Sequence, residues 1–372
     1  MKIVFIIDQV YLHGGIERVL SIKANYLASL PDYEIHILTT EQKNTLPCYE
    51  FSNAIIFQDL EVNYKRNKSY FHPVNLFKLP RHIYKTKSTI KRIKPDVIIV
   101  CSHSVDTYFV PFINKKIPKV KEFHYSKFIE KDKREKPSLF KKLFFKYTDY
   151  VESKYDKLII LNKDESKYYK TANTVIIPNP LTFYPDSVSQ LTKNRIITAG
   201  RIAHVKGYDI LIDIWRIINN KQKDWKLDIY GDGDSDYVHK LQNKIDKYGL
   251  QDSITLKGAT SIIQKEMLNA SIFVMTSHNE CFPLVLLEAQ ACGLPIVSFD
   301  CPFGPRNIIN VENGILIPHY NKKVFADQLL KLMNNKEQLK LKGENARKNS
   351  SKYKLETVMN LWEKMFNDLS IK

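Results

Sequence analysis

Short apolar runs recur along the chain, each followed by a mixed stretch long enough for a helix. The first set predicts strands at Lys2 to Ile7, Glu34 to Thr39, Ile55 to Phe57, Asp96 to Val100, Lys119 to Phe123, Lys157 to Leu161 and Thr174 to Ile177. Runs of this kind suit strands buried on both faces of a parallel sheet, with helices such as Ile16 to Ser29 covering them. The stretch Ile177 to Asn194 is rich in Pro, Ser, Thr and Asn and has no period, so it reads as a domain boundary. Alternation then restarts, with strands at Arg195 to Thr198, Lys226 to Tyr230, Ile254 to Leu256, Ile272 to Met275, Ile296 to Phe299 and Ile315 to Ile317. The tail from Tyr353 carries Val358, Leu361, Trp362, Met365 and Phe366 near helical spacing. The expectation is an α/β chain of two Rossmann-like, doubly wound parallel-sheet domains, 1–180 and 181–352, with a last helix in 353–372. Such domains bind ligands at the carboxyl ends of their strands, so a cleft between the two is the expected site. The opening unit lacks G-x-G-x-x-G, which argues against a dinucleotide.

The most informative stretch is Thr276 to Phe299, TSHNECFPLVLLEAQACGLPIVSF. It predicts a polar loop, a helix over Leu284 to Cys292 with Pro283 in its first turn, a stop at Gly293 and Pro295, and a buried strand. Glu288 lies in the apolar helix VLLEAQA, where a carboxylate needs a partner. Glu280 precedes it with seven residues between. Two carboxylates at the positive end of a helix suit a ligand with both hydroxyls and phosphates; an ion pair for Glu288 and a surface position for Glu280 are the plain alternative. Ala199-Gly200-Arg201 closes a strand and Lys206-Gly207 opens the next helix, placing two cations where a diphosphate would gain charge. Gly14-Gly15 lets a backbone approach a ligand closely or simply turns the chain. Glu17 and Arg18 read as a solvated or interdomain pair.

E-x7-E within S-x-x-E-x-F-P-L-V-x-L-E-A-x-A-x-G-x-P-I-V, running from Glu280 to Glu288, closely resembles the signature of family 4 retaining glycosyltransferases, and GR-x4-KG resembles that family's diphosphate site. The resemblance implies the GT-B fold, a last helix crossing back to the first domain, and transfer of a hexose or N-acetylhexosamine from a nucleotide sugar, UDP-linked, to a glycan hydroxyl. It assigns Glu288 to the ribose hydroxyls, Glu280 to the donor sugar, and Arg201 and Lys206 to the diphosphate. Phe282, Pro283 and Leu284 fall in the expected donor-binding places, and Gly14 and Gly15 beside the donor phosphate. It also gives His124 a place near the reacting sugar, with His103 as competitor, and puts Gly304-Pro305-Arg306 in a loop near the donor, here unassigned. No metal cofactor is expected, because Arg201 and Lys206 supply the charge. Asp232-Gly233-Asp234 is accordingly read as a turn and helix cap. The same fold hosts nucleotide-sugar epimerases, which remain the rival enzyme class.

Composition adds location and partners. The 372 residues carry a net charge of +17, and between Glu61 and Lys157 alone 24 Lys and Arg face 10 Asp and Glu. Aromatics interleave with these cations, notably in FKKLFFKY from Phe140 to Tyr147. A solvated face, an anionic membrane surface and nucleic acid are the three readings; no nucleic-acid motif supports the last, and the membrane is preferred. That points to a lipid-linked acceptor in bacterial polysaccharide or lipopolysaccharide assembly. Cys48, Cys101, Cys281, Cys292 and Cys301 show no C-x-x-C spacing and read as buried thiols of a reducing cytoplasm. MKIVFIIDQ reads as a first strand rather than a leader, so the expected location is the cytoplasm, peripheral to the inner face of its membrane.

Overall fold

The computed structural model describes residues 1–70 and 72–370; residues 371 and 372 of the expected last helix lie outside them. The chain divides into two compact units: Met1–Pro180 together with the tail from Glu356 onward, and Leu181–Leu355.

The first unit is built on seven parallel strands: β1 (Lys2–Ile7), β2 (Glu34–Thr39), β3 (Ile56–Asp59), β4 (Val97–Val100), β5 (Lys119–Glu122), β6 (Lys157–Ile160) and β7 (Thr174–Ile176). Their order is β3-β2-β1-β4-β5-β6-β7. The second unit has β8 (Arg195–Ala199), β9 (Lys226–Tyr230), β10 (Ile254–Gly258), β11 (Ile272–Met275), β12 (Ile296–Phe299) and β13 (Gly314–Ile317), in the order β10-β9-β8-β11-β12-β13. Strand order reverses between β1 and β4 in one sheet and between β8 and β11 in the other. At such points adjacent loops part and leave a crevice at the carboxyl edge. This is the GT-B fold class.

Local chemistry explains most elements. Ile3 to Ile7 are all buried, as β-branched and aromatic residues at the centre of a doubly covered sheet should be. Trp215 anchors the second core and donates to Ser253 Oγ at 3.1 Å, which satisfies its buried N–H. The last helix, Leu355–Ser370, buries Val358, Met359, Trp362, Met365, Phe366 and Leu369 in the first unit. Leu361 is exposed instead, because Met359 and Leu369 complete the inward stripe.

Two stretches are held by contacts that the sequence did not show. β5, KVKE, is buried along its whole length despite its charges. Lys121 Nζ donates to the carbonyl oxygens of Ser102 (2.7 Å) and Glu122 (2.8 Å), so its ammonium fills the end of the neighbouring strand. Burial pushes its pKa down to about 8. The irregular chain after Pro180 is also no loose tether. Leu181 N–H bonds Tyr353 O (2.7 Å), Ser189 N–H bonds Cys292 O (2.9 Å), and the Arg347 guanidinium lies 3.5 Å from the Tyr184 ring centre. Cys48 is half-exposed rather than buried, unlike the other four thiols. Among the described residues no helix is long and apolar enough to cross a membrane.

Candidate functional site

The loops that follow β8 and β11 flank the reversal of the second sheet. After β8 the chain passes Gly200 and Arg201 and reaches Gly207, whose φ of +64° puts it in the left-handed region before the helix Tyr208–Asn219. A side chain there would have its Cβ 2.2 Å from Thr276 O, so only glycine admits the β11 loop so closely. Thr276 Oγ1 donates to Gly207 O (2.9 Å) and His278 N–H to Val205 O (2.8 Å). The two motif loops are thus stitched backbone to backbone.

Their side chains meet at the same place. Lys206 Nζ lies 2.6 Å from Glu280 Oε1, and Ser277 Oγ donates to that oxygen at 2.8 Å. The pair is only partly buried, with 23% and 13% of the two side chains exposed, so an incoming anion can reach it. Arg201, on the same loop after β8, is exposed and makes no ion pair among the described residues. Sequence reasoning had given Lys206 and Glu280 separate duties; the fold makes them direct partners.

Glu288 has a different setting. It sits in the second turn of Leu284–Ala291, is 3% exposed, and accepts a 2.6 Å hydrogen bond from Thr182 Oγ1. Thr182 belongs to the stretch read as a boundary, and no spacing links it to Glu288. Phe282 is buried with its ring edge-on to Tyr353, 5.7 Å between centroids. Pro283 caps the helix rather than occupying its first turn, and Leu284 is the first helical residue. The loop of Gly304-Pro305-Arg306 gains a role: Gly304 N–H bonds Glu280 O at 2.8 Å, and a Cβ on Gly304 would meet Pro283 Cδ at 2.7 Å. Arg306 is held by Asp300 through two bonds of 2.9 and 2.7 Å. Asp234 caps the helix Ser235–Lys247 by accepting from Tyr237 N–H, and Asp232 accepts from Gly233 N–H. Both act locally.

A further group was invisible in the sequence. The rings of His204 and His278 stack 4.9 Å apart at 9°, and His278 Nδ1 lies 2.7 Å from Tyr320 Oη. Burial, and then the neighbouring His204, lower the His278 pKa. An aromatic wall of His204, His278 and Tyr320 therefore lies on and beside the loops that carry Lys206 and Glu280.

In the first unit, His124 lies two residues past the end of β5. Its Nε2 lies 2.9 Å from Glu122 Oε2, and Lys23 Nζ lies 2.5 Å from the same oxygen. The ammonium of Lys23 also sits 4.2 Å from a Trp362 ring centre on the last helix. Burial would raise the Glu122 pKa, but Lys23 and His124 outweigh it and hold it down to about 2. Burial lowers the His124 pKa against the pull of Glu122. A neutral imidazole donating Nε2–H to Glu122 leaves Nδ1 as an acceptor. His103 is exposed, with its Nδ1 3.3 Å from Tyr125 Oη. Gly14 caps the helix Gly15–Ala28; a Cβ there would lie 2.2 Å from Glu17 Oε2, whereas one on Gly15 would meet nothing within 4 Å. Glu17 is not a solvated partner of Arg18: it is half-buried and accepts from Gln9 Nε2 at 2.7 Å.

Two doubly wound sheets of this strand order define the GT-B fold class, and a cation–carboxylate pair lies at the reversal of the second. Residues 183–349 match the model of glycosyl transferases group 1. Over 97% of its length the chain is 27% identical to an uncharacterized glycosyltransferase of Haemophilus influenzae, covering 99% of that protein. It is 26% identical to the amylovoran biosynthesis glycosyltransferase AmsD of Erwinia amylovora, covering 98% of this chain and 99% of that one. Among solved structures, Anabaena Alr3699/HepE in complex with UDP superposes with a TM-score of 0.75 at 17% identity, covering 99% of this chain and all of the other. Residues 183–349 of the second unit thus carry a glycosyl transferases group 1 domain, and the chain has the GT-B fold.

Proposed function

We propose that this protein transfers a hexose or N-acetylhexosamine from a UDP-sugar to a hydroxyl of a lipid-linked glycan, with retention of anomeric configuration, in bacterial surface-polysaccharide assembly. The observation that carries the reading is the meeting of Lys206 and Glu280 at the strand reversal, 74 residues apart in sequence, with Arg201 exposed on the same loop as Lys206. Lys206 and Arg201 take the diphosphate, which gains charge as it leaves; Lys206 exchanges its bond to Glu280 for one to phosphate. Glu280, released from that pair, accepts from the sugar hydroxyls. Glu288, oriented by Thr182, accepts from the ribose. Gly14 and Gly15 offer backbone to the donor phosphate, Phe282, Pro283 and Leu284 shape the entrance of the donor helix, and His124 bonds a sugar hydroxyl through its neutral ring.

In this reading the acceptor oxygen attacks C1 from the face the phosphate leaves. The C1–phosphate oxygen bond breaks, the new C1–oxygen bond forms on the same side, and the acceptor proton passes to the departing phosphate. No divalent metal takes part, since two side-chain cations neutralise the leaving group. The polysaccharide role named for AmsD and the UDP bound by Alr3699/HepE support acceptor and donor class respectively.

The test is thermal stabilisation by UDP-, GDP-, ADP- and dTDP-sugars. A ligand selective for the folded state raises the midpoint by mass action. A rise with UDP-sugars that Glu288→Ala removes is expected. Stabilisation by another nucleotide class alone would overturn the UDP assignment, and none by any class would overturn the donor site.

A further inference from the structure

The helix Leu139–Glu152 turns Thr148, Val151 and Glu152 inward and leaves a row of large apolar side chains outside. Leu139, Phe140, Leu143, Tyr147 and Tyr150 are all exposed, Phe140 to 84%. At 100° per residue these five fall within one sector about 100° wide, so they form a continuous stripe over the helix rather than scattered exposures. Phe112 extends it, stacked on Tyr150 with centroids 6.1 Å apart. Apolar surface gathered this way on a soluble unit marks a contact to something outside it.

Charge says what that something is. Lys141, Lys142 and Lys146 are exposed on the same helix, and Lys133 and Lys136 on the segment leading into it. None of the five has an ion pair among the described residues. The nearby acids Glu130 and Asp149 are taken up by Arg134, at 2.9 Å each. The stripe therefore has a rim of net positive charge: Lys142 and Lys146 flank it, and the lysines here outnumber the exposed acids Asp132 and Glu135. A second copy of the chain seated on it would press one lysine rim against another. A bilayer surface with anionic headgroups satisfies both parts, because lysines meet the headgroups while Phe140, Leu139 and Leu143 enter the acyl boundary. Tyrosines, amphipathic themselves, suit the interface level.

We propose that this helix face docks the first unit on an anionic membrane, lying in the plane of the interface. The helix precedes β6 and runs antiparallel to it, so its first turns, with Leu139, Phe140 and Leu143, lie towards the carboxyl edge of the first sheet, the edge that bears His124. Docking there brings that edge to the lipid surface without any spanning segment. The inference stands apart from the donor-site reading and does not need it.

The test is co-sedimentation of the full chain with vesicles of phosphatidylglycerol in phosphatidylcholine, beside vesicles of phosphatidylcholine alone. Binding to the anionic vesicles that weakens with salt is expected. Leu139→Ser/Phe140→Ser/Leu143→Ser and Lys141→Glu/Lys142→Glu/Lys146→Glu should each lower the partition coefficient by roughly tenfold or more, with unchanged thermal midpoints. Equal binding by wild type and both variants would overturn the proposal, as would wild-type binding to neither vesicle. A wild-type dimer that the serine variant converts to monomer would assign the face to a second copy instead.

Discussion

The carboxyl edges of the two sheets handle charge in opposite ways. In the second unit the chemistry sits on loops: Lys206 and Glu280 face each other across the strand reversal, partly exposed, and each can exchange its partner for a ligand. In the first unit the charges sit within a strand. Glu122 and Lys121 of β5 are buried with Lys23, and their bonds are spent on one another and on carbonyl oxygens. An exposed pair is cheap to open, whereas a buried pair broken from one side leaves an uncompensated charge. The second edge is therefore suited to trading contacts with a substrate, and the first to holding one imidazole still.

Three substitutions break or sharpen that contrast. The largest effect is expected from Glu280→Ala, which should lower turnover by about two to three orders of magnitude, the usual loss for a group acting at the reacting centre. Because Lys206 stays, stabilisation by the nucleotide diphosphate alone should persist; loss of both together would make Glu280 a structural partner of Lys206 and nothing more.

Next comes Glu122→Gln, which strands Lys23 in the core and should cost about 3 kcal/mol of stability, read by denaturant unfolding. The sign of its pH dependence follows from a folded pKa near 2, below the ordinary glutamate value. The carboxylate's contribution is full above pH 4.5 and fades as pH falls towards 2, so the gap between wild type and variant should close over that window. Lys23→Met on the same background should restore much of the loss. A gap that does not change with pH would show that the ion pair is not its source.

The smallest is Gly15→Ala. A Cβ there has open space and φ is not positive, so unfolding free energy should move by less than about 0.5 kcal/mol. If the Gly14-Gly15 backbone approaches the donor, transfer should nonetheless weaken; unchanged transfer would reduce the motif to a turn.

The strands were readable because a doubly covered sheet demands short apolar runs, and β1, β2, β9, β11 and β12 end where their runs end. β5 shows the limit of that rule. KVKE falls in an expected strand, but its letters do not say what its charges meet once buried; the fold gives both ammonium groups carbonyl oxygens and the carboxylate Lys23. Glu122 was hidden for this reason, although it holds the imidazole of His124. Thr182 was hidden for another: a hydroxyl in a proline-rich stretch carries no period that could point to Glu288. Gly304 was legible only as part of a loop without an assigned role, and its closeness to Pro283 is a fact of two loops meeting.

By itself the sequence determined the α/β class, the order of the strands along the chain, and where the helix between Pro283 and Gly293 begins and ends. Those follow from local rules, since burial on both faces selects apolar runs and helix ends select Gly, Pro and Asp. Only the tertiary structure decided who pairs with whom. Lys206 meets Glu280, Thr182 meets Glu288, and Lys23 with Glu122 secures His124. Partners 74, 106 and 99 residues apart are joined by strand order and helix packing, and a charge's neighbours in space, not in sequence, set what it can bind.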